Sequence, residues 1–302
     1  MQVFKSEVAV KYNAVLGEGP CWDEKRNLLF WIDSVGNKVC ISDLKTGATT
    51  IFDVGQNVGT LVLIEGNDDE VVIGLEDGLY TLNIKTGELL LKCNPEEGIE
   101  GNRLNDGKAD IKGRIWIGSM CTADNGKEGY DTACKCNLHK VNPDYSYELM
   151  DPEVRLSNGM VWTQDQKTMY YVDSPTRYVY QYDFDVEKGT ISNRRVCIEI
   201  DPVLGVGDGM DIDQDGNLWI AHYTGWCVGK WDPRTGEMIG KVEVPVSRVT
   251  SCAFGGENHD ELYITTASMN AEQDAIAQPD AGCVFVAKDL GAKGYPFWRF
   301  KG

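Results

Sequence analysis

The chain has 302 residues, with 47 Asp and Glu against 29 Lys and Arg, a formal net charge of −18 and a pI near 4.6. That balance argues against nucleic acid and anionic membranes as partners, since both select basic surfaces. The apolar runs are strand-sized, none approaches the ~20 residues that span a bilayer, and a mean hydropathy of −0.31 fits a soluble protein with a sizeable core.

The first residues, Met1-Gln2-Val3-Phe4-Lys5-Ser6-Glu7, alternate like a strand and lack the apolar segment of a signal peptide. They predict a cytoplasmic protein. A repeat then sets in. Six short apolar strands begin at residues 30, 71, 115, 170, 218 and 262: Phe30-Trp31-Ile32-Asp33, Val71-Val72-Ile73-Gly74, Ile115-Trp116-Ile117-Gly118, Tyr170-Tyr171-Val172-Asp173, Leu218-Trp219-Ile220-Ala221 and Leu262-Tyr263-Ile264-Thr265. Each follows a polar turn, and before the turn several show another short strand opening with Gly-x-x, such as Gly19-Pro20-Cys21-Trp22 and Gly209-Met210-Asp211-Ile212. A third strand comes after each, and Asp43 to Gly47, Asn83 to Gly87 and Asp232 to Gly236 supply turn residues into a fourth. Four antiparallel strands, six times over, predict an all-β, six-bladed β-propeller in a single domain over residues 1–302. Val3 to Val10 is expected as the outer strand of the last blade, which would tie the chain ends together and remove an open edge. The stretches 120–135 and 268–281 are irregular. The first reads as a loop over the channel mouth.

Four glycine-flanked polar residues stand at similar points of the repeat: Glu18, Asn105, Asn158 and Asp208. The first strand of a propeller blade lies nearest the axis, so its entry turn faces the central channel. Glu18, Asn158 and Asp208, in blades one, four and five, are expected to converge there, with neighbouring glycines allowing positive φ and close approach. Two carboxylates and an amide oxygen would neutralise one hard divalent cation, calcium first, with magnesium or manganese also admitted. Arg103 and Asn105, at the matching turn of blade three, would hold ligand oxygens.

Other candidates read as structural. Ten cysteines without a signal peptide predict reduced thiols. Cys121, Cys134, Cys136 and His139 could form a soft-metal site, but no C-x-x-C pair supports zinc and two of them fall in a strand. Asp211 to Gly216 resembles the start of an EF-hand. Its twelfth position is His222 and strands flank it, so it reads as a hairpin. His222 itself reads as packed rather than catalytic.

Taken together, Gly17-Glu18-Gly19-Pro20, Asn102-Arg103-Leu104-Asn105-Asp106-Gly107-Lys108, Ser157-Asn158-Gly159-Met160, Gly207-Asp208-Gly209-Met210, Thr250 to Gly256 and Gly291-Ala292-Lys293-Gly294 resemble the family of senescence marker protein (regucalcin), gluconolactonase and luciferin-regenerating enzyme. The resemblance spans essentially the whole chain. It implies one divalent metal held by Glu18, Asn158 and Asp208, calcium first, with zinc, manganese or magnesium also admitted. It further implies Asp208 as general base, Arg103 and Asn105 as substrate-binding residues, and hydrolysis of small-molecule sugar lactones to aldonic acids by a monomer or weak homo-oligomer. Where animal regucalcins carry a sugar-contacting acid, this chain has Ala123, with Asp124 beside it as the substitute. The alternatives on the same site are hydrolysis of esters or phosphotriesters, a luciferin-regenerating type of reaction, or a non-catalytic calcium-binding propeller.

Overall fold

The computed structural model describes residues 1–122, 135–271 and 277–302. Six antiparallel sheets are arranged as a β-propeller, one blade per sequence repeat. The inner strands are Gly17–Asp23, Val58–Ile64, Asn102–Ala109, Ser157–Trp162, Val206–Ile212 and Val249–Gly255. Each touches the next, and the last touches the first, so the ring is closed.

Local chemistry explains the hairpins. Asp43, Asn83, Asp185 and Asp232 each accept the backbone N–H two residues on, at 2.9, 2.9, 3.1 and 2.9 Å. Four residues after each stands a glycine with φ between 63° and 77°. The side-chain oxygen closes the turn and the glycine takes the left-handed conformation at no steric cost.

The core lies between blades rather than in one centre. Phe30, Ile32 and Val39 of blade one pack on Val58, Leu61 and Leu63 of blade two. Trp219 and Val228 of blade five pack on Phe254, Ile264 and Phe285 of blade six. Middle strands are covered on both faces, which is why they read as unbroken apolar runs rather than alternating ones. Trp31, Trp116 and Trp219 occupy the same position of three blades and are fully buried. Their indole N–H groups donate to Ser42 Oγ, Asp110 Oδ2 and Asp213 Oδ2, each at 3.0 Å. Truncating any one to Ala should cost about 3–5 kcal/mol.

Two expectations need correction. Only Glu7–Val10 forms the outer strand of the last blade, against Val284–Ala287. Gln2–Lys5 turns away and adds a fifth, parallel strand to blade five, beside Glu237–Glu243. Neighbouring blades diverge outward, so one straight strand cannot serve both edges. The chain breaks at Ser6, whose hydroxyl donates to the Glu243 carbonyl at 3.0 Å, while Phe4 packs against Trp219. The second correction concerns the thiols. Among the described residues eight cysteines are free, but Cys121 is in a disulfide. Burial pushes Cys21, Cys40, Cys136 and Cys197 up to about 12, so these four are inert fillers.

The C-terminal segment crosses the far end of the channel as a strap. Phe300 N–H donates to Leu63 O at 2.9 Å, Lys301 N–H to Gly113 O at 3.1 Å, and Gln214 N–H to Lys293 O at 2.7 Å. Phe297 lies under Lys108, 5.3 Å from ammonium to ring centre. Only about 20 Å³ remains above it, between inner strands and strap, less than the space of a drug-sized ligand.

Candidate functional site

All six inner strands slip register by one residue against their neighbour near the channel mouth. In the four site-bearing blades the slip falls between Glu18 and Cys21, Leu104 and Gly107, Ser157 and Met160, and Gly207 and Met210. A bulge of this kind breaks the in-out alternation and re-aims a side chain. Here it holds Glu18, Asn105, Asn158 and Asp208 toward the axis. Blades two and six carry the slip between Val58 and Thr60 and between Val249 and Ser251. They offer Gly59 and Thr250 there, with no carboxylate.

The flanking glycines act mainly through space. Among Gly17, Gly19, Gly159, Gly207 and Gly209, only Gly19 has positive φ, at 50°. A Cβ on Gly209 would lie 2.0 Å from Ser251 Oγ, one on Gly159 would lie 2.6 Å from Met210 N, and one on Gly17 would lie 2.7 Å from Thr266 O. Adjacent inner strands therefore approach at Gly159 and Gly209, and at Gly17 the second strand of blade six comes close, which draws the site residues together.

Glu18, Arg103, Asn105, Asn158 and Asp208 all line one cavity of about 210 Å³ at the open end of the channel. Asp124 lies outside the described residues. Asn158 Nδ2 donates to Ser174 Oγ at 2.7 Å, and Ser174 donates onward to Gly207 O at 2.7 Å. Asn105 Nδ2 bonds Ser157 O at 2.8 Å and reaches Asn158 Oδ1 at 3.3 Å. Arg103, almost fully buried, is pinned by Leu104 O at 2.9 Å and Asn105 Oδ1 at 3.1 Å.

Electrostatics single out two carboxylates. Burial pushes Glu18 up, the charge of Asp106 adds to this, and the Gly19 N–H and Arg103 temper it. Burial also pushes Asp208 well above the ordinary carboxylate range, and Glu18 and then Asp106 push it further. Neither makes an ion pair among the described residues. Two neighbouring acids with no ion-paired cation are costly to ionise together. A hard divalent cation held by Glu18, Asn158 and Asp208 would remove that cost, so the donor set fits one. No three Asp, Glu, His or Cys groups meet at one point among the described residues, so the amide oxygen of Asn158 is needed to complete the set.

Four contributors were not singled out from sequence. Asp33 accepts Val15 and Leu16 N–H at 3.0 and 2.9 Å and so holds the loop entering at Glu18. Asp173 accepts Leu156 N–H at 3.1 Å and does the same ahead of Asn158. Ser174 orients Asn158 as above. Asp106 faces the lower channel, where burial raises its carboxyl to about 6 although Lys108 opposes this. The available signal was the strand ending Asp-Ser in both Asp33-Ser34 and Asp173-Ser174.

The structural readings elsewhere agree with the geometry. His222 is fully buried, accepts the Trp231 indole N–H at 3.2 Å, and is pushed down to about 4 by burial, so it is neutral and packed. Asp213 is spent inside its hairpin on Asp215 N–H, Asn217 N–H and the Trp219 indole. His139 Nε2 turns to Glu96 Oε1 at 2.6 Å, and Asn102 and Asn137 donate to the same carboxylate.

Comparison with known proteins agrees with this architecture. Residues 16–268 match the family described as SMP-30/Gluconolactonase/LRE-like region. The regucalcin of Gallus gallus is 36% identical over 288 residues, covering 95% of each chain. YvrE of Bacillus subtilis (strain 168), named provisionally as a sugar lactone lactonase, is 34% identical over 290 residues, covering 96% of each. The solved structure of a calcium-binding protein, regucalcin, from Agrobacterium tumefaciens superposes with a TM-score of 0.89 at 25% identity, covering 100% of this chain and 99% of that one. The chain therefore belongs to the SMP-30/gluconolactonase/LRE-like family.

Proposed function

We propose that this protein is a divalent-metal-dependent hydrolase that opens small-molecule lactones to hydroxy acids, sugar lactones to aldonic acids being the class its relatives' names indicate. The observation that carries the reading is the pair of carboxylates, Glu18 and Asp208, that lack an ion-pair partner among the described residues and stand beside the Asn158 amide in one cavity. Glu18, Asn158 and Asp208 would hold the ion. Calcium is preferred because every donor is a hard oxygen and because the Agrobacterium relative is named as calcium-binding. When bound, such a cation polarises a carbonyl and offsets charge developing on its oxygen.

The chain's own residues do the rest. Arg103, fixed by its bonds to Leu104 and Asn105, presents its remaining guanidinium N–H groups to a ligand oxygen. Asp208 accepts a proton from the attacking water as the hydroxyl adds to the carbonyl carbon. It returns that proton to the ring oxygen when the ring C–O bond breaks. The product carries a carboxylate, and a chain of net charge −18 favours its departure.

A pH-drop assay with gluconolactone, aryl esters and phosphotriesters, run with chelator and then with calcium, manganese, magnesium or zinc, tests this reading. Turnover of a lactone that chelator abolishes and metal restores is expected. No turnover on any substrate by metal-loaded protein would overturn the reading in favour of a calcium-binding propeller.

A further inference from the structure

Above the polar floor, the cavity wall is mostly apolar, with Tyr223 as its one phenol among the described residues. Leu16, Val35, Met120, Leu156, Val206 and Met269 line its upper part. They come from blades one, three, four, five and six, so the rim is a ring rather than one patch. Most are partly exposed, and Val35 is 39% exposed. Side chains of this kind, drawn together in a concave site, mark a ligand-binding wall. On the floor, several polar groups are already committed. Asn105 Nδ2 is shared between Ser157 O and Asn158, the Ser174 hydroxyl is used by Gly207 O and Asn158, and Arg103 Nη1 is held by Leu104 and Asn105.

Resting on the hydrolase reading above, we infer that the substrate is a lactone bearing an apolar alkyl or aryl substituent, rather than a polyhydroxylated sugar lactone. Two physical points carry this. A polyol needs a partner for each hydroxyl that it takes out of water, and apart from the Tyr223 phenol the described wall offers aliphatic carbon and thioether sulfur above the floor. An alkyl or aryl group buries apolar area against the same wall, at roughly 25 cal/mol per Å². The cavity, about 210 Å³, is below the range typical of drug-sized ligands, so the whole molecule is small. The lactone carbonyl sits at the floor among Arg103, Asn158 and Asp208, and the substituent points outward between Val35 and Val206.

The test compares δ-nonalactone with glucono-δ-lactone on metal-loaded protein, and measures by calorimetry the binding of the corresponding lactams, whose amide carbonyl is far less reactive than an ester's. A kcat/KM for the alkyl lactone at least ~10-fold above that for gluconolactone is expected, since even one methylene discriminates by this order. The alkyl lactam should bind more tightly than its polyhydroxylated counterpart. Val35→Asn combined with Val206→Asn should shrink both preferences. Turnover of gluconolactone in preference to the alkyl lactone would overturn the inference and leave the hydrolase reading standing. Turnover of neither would overturn the hydrolase reading, and the lactam order would still decide the character of the wall: equal or reversed lactam affinities, or preferences unmoved by the double substitution, would overturn the inference.

Discussion

The propeller buries carboxylates at both ends of its channel and treats them in opposite ways. At the strapped end four of them have a cation, and Asp106, nearer the middle of the channel, does not. Asp23 takes Arg299 at 2.8 Å and also Arg26, Asp110 takes Arg114 at 2.7 Å, Asp213 takes Lys230 at 3.3 Å, and Asp211 takes Lys108 at 3.7 Å. Burial alone would raise Asp23, yet the two guanidinium groups bring it below its usual value. At the open end Glu18 and Asp208 lack any such partner among the described residues and are both pushed up. An unpaired buried ion costs several kcal/mol. That difference supports reading Glu18 and Asp208 as the proposed ligands of a cation supplied from outside.

The sharpest way to break that contrast is to remove the proposed base. Asp208→Ala should lower kcat by roughly 10³-fold at saturating metal, read in the lactone assay. Retained turnover would remove the role assigned to Asp208. Unpairing a carboxylate at the other end should act on folding instead. Arg114→Met leaves Asp110 buried without its cation, and the urea midpoint should report a loss of about 3–5 kcal/mol, with metal affinity unchanged. A shift in metal affinity comparable to the stability loss would mean that the two ends are not independent.

The third prediction concerns acid. His222 is held near 4 when folded, against about 6.5 when unfolded. The unfolded chain binds the extra proton between these values, so the stability owed to neutral His222 is complete above pH 6.5. It is lost as pH falls toward 4, by roughly 3 kcal/mol in all. Denaturant titrations of the wild type and of His222→Gln, run from pH 7 to 4, should show a shallower slope in the variant. Parallel slopes would sink the assignment. The smallest effect is expected from charge relief. In chelator-treated protein, Asp208→Asn removes a carboxyl that is costly to ionise, so the variant's Tm should gain about 2–4 °C over the wild type as pH rises and that carboxyl loses its proton, while in metal-loaded protein it should lower Tm. A lowered Tm in both states would mean that Asp208 is already compensated by the protein.

Much of the fold was legible before any coordinates. Trp31, Trp116 and Trp219 recur in one register, and the Asp-x-x-x-Gly turns close hairpins locally, within five residues. Signals of that kind survive without tertiary context. The N-terminal strand was only half legible, because alternation over Val3 to Val10 says nothing about which blade edge each half meets. Glu18, Asn105, Asn158 and Asp208 were legible as oxygen side chains wedged among glycines. The glycines were understood for the wrong reason at Gly159 and Gly209, where a neighbouring strand leaves no room for a Cβ. Asp33 and Asp173 were not found because their partners are backbone amides 17 and 18 residues away across a hairpin, and amides leave no trace in side-chain identity.

By itself the amino-acid sequence determined the period, the strand content, the hairpin turns and the family, since each depends on residues close together in the chain or on motifs read in order. Tertiary structure alone decided which acids stand bare and which are paired, that the C-terminal strap shuts one mouth of the channel, and that aliphatic side chains from five blades ring the other. Charge compensation and cavity shape depend on distances between residues as many as 276 positions apart, as with Arg299 and Asp23, and no local pattern encodes such a distance.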